Sequence, residues 1–276
     1  MTIAGRNKLL ILGIIITSAL CIVGIGTIVF LLRHDMLHLI AIPQKTLHSW
    51  LPQVRLLTYN RFAVIIGTLA LPVIAAMLLI YMYLIFEKTH AFEISFFSLF
   101  IFGIAFEALK LLFPLFNANA ALSTWTLFVA RAILFTRFFA FFSLFVASLF
   151  AYKIFTQETF SIVFLLCFIS FSLVHIVPIN IVKTNSFDSF SHYYTALLYW
   201  FNCIIYLLSI ISFLLTGILR NITEYKKAGL SLITLFLAYT FLLYCGSWPC
   251  IAVGIVLFGF GGFSFIRAIH RFYLWQ

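Results

Sequence analysis

Long apolar runs separated by short polar stretches set the pattern of the chain. Eight runs are candidate membrane spans: 9–32, 62–86, 92–116, 124–152, 160–181, 193–219, 228–245 and 251–269. A helix covers the hydrocarbon core of a bilayer with about 20 apolar residues. A membrane barrel would show alternating segments of roughly 10 residues instead. The pattern therefore predicts an all-α polytopic integral membrane protein with about eight transmembrane helices. The last two runs are short and are separated only by "GSWPC", 246–250. Gly246 and Pro249 predict a tight turn between two helices there, with a re-entrant hairpin as the alternative. "GFGG", 259–262, supplies small residues that admit a neighbouring helix.

The chain reads as one membrane-embedded domain, 1–276: an N-terminal signal-anchor helix (9–32), an outer interfacial segment (33–61) and a seven-helix bundle (62–269). Arg6 and Lys8 precede the first run, as in a secretory signal, and "SALC", 18–21, resembles a lipoprotein cleavage site. The run continues to Leu32, which favours an uncleaved anchor. Within 33–61, Trp50, Val54 and Leu57 follow helical spacing and predict a segment lying along the interface. His34 and His38 flank Asp35 but read as interfacial polar residues rather than metal ligands.

Lys and Arg orient the chain. With the N-terminus inside, Arg6, Lys8, Lys88, Lys153, Arg220, Lys226, Lys227, Arg267 and Arg271 lie inside, against Arg33, Lys45, Arg55, Arg61 and Lys183 outside. The imbalance predicts that both termini are cytoplasmic. The expected location is the cytoplasmic membrane, multi-pass.

Composition agrees. Hydrophobic residues make up 64% of 276 and charged residues 9%, and mean hydropathy is +1.18, far from the roughly 25% charged residues of a soluble domain. The net charge of +10 follows the cytoplasmic-loop bias, and no nucleic-acid-binding pattern is present. Cys21, Cys167 and Cys203 sit in apolar runs as small hydrophobes. Cys245 and Cys250 flank "GSWP" without a C-x-x-C spacing, and a disulfide across that turn is the alternative to free thiols. No metalloprotease, nucleophile-elbow or phosphate-loop motif appears. No cofactor and no metal is expected, and an enzyme is less expected than a binding protein.

Chemistry concentrates in a few intramembrane charges. Glu107 and Lys110 lie in the third run, Arg131 and Arg137 in the fourth. Each costs about 2.5–3.5 kcal/mol at a helix centre on the insertion scale. Counting 1.5 Å per residue from the span centres puts Glu107 about 5 Å, Lys110 about 9 Å and Arg131 about 10 Å toward the outer surface, with Arg137 near the midplane. His175, Asn202 and Thr240 fall at similar outer levels on three further helices. Glu107 and Lys110, three apart, share a face. Arg131 and Arg137 are about 120° apart around their helix, so only one of them meets Glu107.

The candidate ligand-binding set is thus Glu107, Lys110, Arg131, Arg137, His175 and Asn202. One carboxylate against three cations leaves a positive excess that suits an anionic small molecule or lipid headgroup. The competing reading is structural, with Glu107 bridging Lys110 and one Arg while the other Arg snorkels outward. Three functions remain in view: a sensor-like module with an outward-facing cationic pocket, a transporter or lipid-handling protein, and a subunit of a membrane complex. The layout looks like bacterial seven-transmembrane sensor modules in topology. The loop "RNITEYKK", 220–227, is the expected contact for a protein partner.

Overall fold

In lipid a backbone has to satisfy its own N–H and C=O groups, so apolar runs of this length become helices. The computed structural model describes residues 3–34, 60–86, 91–117, 123–152, 159–180, 191–192, 195–244 and 246–274. Its elements are α1 (Ile3–Arg33), α2 (Arg61–Phe86), α3 (Phe92–Ala105), a 3-10 helix (Phe106–Leu112), α4 (Phe113–Asn117), α5 (Ser123–Ala151) and α6 (Thr159–Ile176). The short strands β1 (Ile179–Asn180) and β2 (Ser191–His192) follow, then α7 (Thr195–Leu219), α8 (Thr223–Tyr244) and α9 (Trp248–Leu274). The two strands pair antiparallel.

Seven helical stretches are long and apolar enough to cross a membrane. α6, with 18 residues, is about 27 Å long against the roughly 30 Å of a hydrocarbon core. The protein is an all-α polytopic membrane protein. The interfacial segment and His38 expected within 33–61 lie outside the described residues, as does Cys245. His34 is described, its ring tilted against that of Phe30 with centroids 4.4 Å apart.

Three spans differ in detail from their sequence reading. The third, expected as one helix over 92–116, changes to a 3-10 helix at Phe106. The seventh and eighth runs are longer than their apolar cores, at 22 and 27 residues, because Thr223–Lys227 and Arg267–Leu274 continue as polar helix ends. Both are long enough to cross, in accord with two spans joined by a tight turn.

Hydrogen bonds between elements define two ends of the bundle. At one end, which we call the near end, the start of α1 meets the end of α2, where Arg6 donates to the Phe86 carbonyl. There too the starts of α3 and α8 and the end of α9 meet through Glu93, Tyr225 and Tyr273. Arg220, after α7, donates to the Tyr152 carbonyl after α5 at 2.8 Å. At the far end the Asn60 N–H donates to the Gly246 carbonyl at 2.8 Å, joining the start of α2 to the α8–α9 turn.

α3 is central. Twelve of its fourteen residues are buried, which is why its sequence is apolar on every side. α6 is peripheral, packing on α5 through Leu166 and Val174 while Phe160, Phe164 and Phe168 face outward. Pro178 follows its last turn, as expected of a residue that biases the one before it away from helix. The α7–α8 connection is a helix C-cap: Asn221 takes φ 56°, the Asn221 N–H bonds the Ile218 carbonyl at 3.2 Å and the Ile222 N–H bonds that of Gly217 at 3.0 Å. Asn tolerates the left-handed conformation such a turn requires.

Glycine permits the tightest helix approaches. A Cβ on Gly261 would meet Thr234 and Leu235, and one on Gly262 would meet Leu78, so "GFGG" does admit its neighbours. Gly103 brings α3 against α5, where a Cβ would lie 2.8 Å from both Ala140 Cβ and the Thr136 carbonyl oxygen. Gly103→Ala is expected to cost about 1–3 kcal/mol through overpacking, read as a lower thermal midpoint of the purified protein in detergent. Gly26→Ala, with nothing within 4 Å of the new Cβ, should leave that midpoint unchanged or raise it slightly through the better helix propensity of Ala.

Candidate functional site

The third span changes helix type for a reason visible in its sequence. Pro114 has no N–H to give the Lys110 carbonyl, and its ring crowds that oxygen in α-helical geometry. The Phe113 N–H takes the Lys110 carbonyl instead, as the tighter i to i+3 bond. Residues three apart eclipse in a 3-10 helix, so Glu107 and Lys110 stack, with Lys110 Nζ 2.9 Å from Glu107 Oε2.

α5 supplies the second cation. Arg137 Nε donates to Oε1 at 2.7 Å and Nη2 to Oε2 at 2.8 Å, a fork that matches the carboxylate. α8 adds Tyr239, whose hydroxyl donates to Oε1 at 3.0 Å. Each carboxylate oxygen thus accepts two hydrogen bonds, which fills its lone-pair sites. Glu107 and Lys110 are 2% and 4% exposed, and the Arg137 side chain 19%, so this ion cluster is largely dry. With Glu107 set against Lys110 and Arg137 it retains one positive charge.

Only part of the expected set converges here. Glu107, Lys110 and Arg137 form the cluster, and Asn202 lies beside it. Arg131 is exposed, six residues before Arg137 in α5 and on another face. His175 is exposed on peripheral α6, its Nδ1 3.0 Å from the Phe171 carbonyl of its own helix and its ring against that of Phe171. The two do not join the cluster, because depth alone does not bring helix faces together. The expected excess of about two positive charges is therefore one.

A cavity adjoins the cluster on the far side of Arg137. Arg137 and Phe141 of α5, Tyr199, Asn202 and Cys203 of α7, and Phe236, Tyr239 and Thr240 of α8 line it. The centre of a water molecule has about 20 Å³ to move in, enough for one or two waters or one polar group. Asn202 is 9% exposed, and its Oδ1 has no hydrogen-bond partner among the described residues. A buried amide oxygen left unpaired costs on the order of 1–3 kcal/mol. Cys203 is a free thiol. Thr240, placed at this level from its depth, is on the wall.

A second buried carboxylate, too far along the span to pair with Glu107, lies outside the expected set. Glu93, 3% exposed, accepts from Tyr225 at 2.9 Å and Tyr273 at 2.7 Å. Glu93 and Glu107 are 14 residues apart on the third span, and Tyr225 and Tyr239 are 14 apart on α8. Two tyrosines of α8 thus meet two glutamates at matching register on parallel segments. That equal spacing was the available signal for Tyr239. Among the described residues no group of three His, Cys, Asp or Glu side chains is placed to hold a metal.

No family model matches the chain. No solved structure matches it. An uncharacterised protein of Treponema pallidum (strain Nichols) is 25% identical over an alignment of 345 residues that covers the whole of both chains.

Removing one member of the cluster distinguishes its bonds. Glu107→Gln leaves two buried cations unneutralised and is expected to cost about 3–5 kcal/mol. Tyr239→Phe removes one neutral donor to a charged group and should cost about 1.5–3 kcal/mol. Chemical denaturation in detergent would rank them, and equal effects would contradict this account.

Proposed function

We propose that this multi-pass membrane protein is a receptor-like binding module, with its site in the cavity between α5, α7 and α8. The observation that carries the reading is the unpaired Oδ1 of buried Asn202, in a cavity shared with Arg137. A buried acceptor in a polar cavity is completed by a ligand or by water. The single net charge of the ion cluster favours a ligand with a negative group over a neutral or cationic one. The sensor reading adds two elements: the near end lies in the cytoplasm, as its Lys and Arg residues favour, and the loop 220–227 meets a protein partner.

Binding without transport is supported by the cluster itself. Alternating access moves one part of a bundle against another, whereas Glu107 ties the third span, α5 and α8 together through four bonds. The same observation favours a second reading, a subunit of a membrane complex in which the charges serve only to lock the fold.

Cys203 is a native probe of the difference. With Cys21, Cys167, Cys245 and Cys250 replaced by Ser, the small neutral reagent methyl methanethiosulfonate, which enters the bilayer, is added. Cys203 should react while the protein remains folded. An unreactive Cys203 in folded protein would leave the locked-subunit reading in its place.

A further inference from the structure

The cavity is too small for a whole solute. Ligand pockets commonly measure about 300–1,000 Å³, whereas a water centre has about 20 Å³ here. One polar group enters, and the rest of the ligand lies outside the mouth. Among the lining residues Tyr199 is the most exposed, and Thr240 and Phe236 are partly exposed. The mouth is therefore the gap between α7 and α8. The surface next to it on α8 is apolar, with Ile233 and Leu237 exposed one turn away.

Depth narrows the choice further. Exposed Trp125, Trp200 and Trp248 sit in the far-end turns of α5, α7 and α9. Tryptophans in such positions mark the headgroup level of a bilayer. Asn202 is two residues beyond Trp200, about 3 Å deeper, and Arg137 on the opposite wall is twelve residues beyond Trp125, about 18 Å deeper, so the cavity runs from just below the headgroup level on α7 into the acyl region.

The two polar features of the cavity then specify the group that fits. Asn202 Oδ1 accepts and requires an O–H or N–H donor. The net positive cluster favours an anion and disfavours an ammonium as that donor. Resting on the binding reading above, we infer that the ligand is an anionic, hydroxyl-bearing lipid headgroup of the phosphoglycerol type. It enters sideways between α7 and α8 while its acyl chains stay in the bilayer.

The test uses the Cys203-only protein in nanodiscs and the small neutral reagent methyl methanethiosulfonate. Phosphatidylglycerol discs should slow Cys203 modification by about tenfold relative to phosphatidylcholine discs, the worth of one or two polar contacts. Asn202→Leu should abolish the slowing, and near-isosteric Asn202→Asp should do so by repulsion if the Leu variant does not fold. Soluble glycerol phosphate added to phosphatidylcholine discs should have no effect. Slowing by glycerol phosphate but not by phosphatidylglycerol would overturn the lipid assignment in favour of a free anion. Equal rates under all conditions would overturn the inference while leaving an accessible cavity standing. No modification anywhere would overturn the cavity reading together with it.

Discussion

Glu107 accepts four hydrogen bonds from three parts of the chain, three of them from the two cations Lys110 and Arg137. A carboxylate away from water needs this, because its desolvation costs several kcal/mol and only close charges and donors offset it. Much of the far half of the bundle follows. The 3-10 turn that Pro114 imposes on the third span places Lys110 above Glu107. α5 is held in the register that delivers Arg137, and α8 in the one that delivers Tyr239. The residual positive charge, and the cavity next to it, are by-products of how these segments meet.

The near half repeats the device without cations among the described residues. Glu93 is satisfied by two tyrosines, in the first turn of α3, where the helix dipole also favours a negative charge. With glutamates 14 residues apart on one span and tyrosines 14 apart on α8, the two segments run parallel and are tied at both ends. Gly103 lies between the ties and lets α5 press against α3. Polar contacts at the ends and close backbone approach in the middle supply the specificity that apolar packing in lipid lacks.

On the binding reading proposed above, the wall that carries Arg137 and Tyr239 is tied by Glu107, so any adjustment would fall to α7, whose Tyr199, Asn202 and Cys203 form the opposite wall. α7 runs toward the loop 220–227, where Arg220 meets the Tyr152 carbonyl and ring. One helix thus connects the proposed site with the charged near end.

Run lengths and composition alone determined that the chain is a helical, multi-pass membrane protein, because lipid leaves a backbone no other economical way to bond itself. The pairing of Glu107 with Lys110 and with one of the two α5 arginines was also legible, since spacing along a helix sets which side chains share a face. Tertiary structure decided that Arg137 and not Arg131 is the partner, and that His175 stands apart on α6, because helix rotation and neighbour choice depend on packing that depth does not encode. It also decided the roles of Glu93, Tyr239 and the Asn202 cavity. Those depend on residues between a few tens and 180 positions apart arriving at one place, and only packing between spans brings them there.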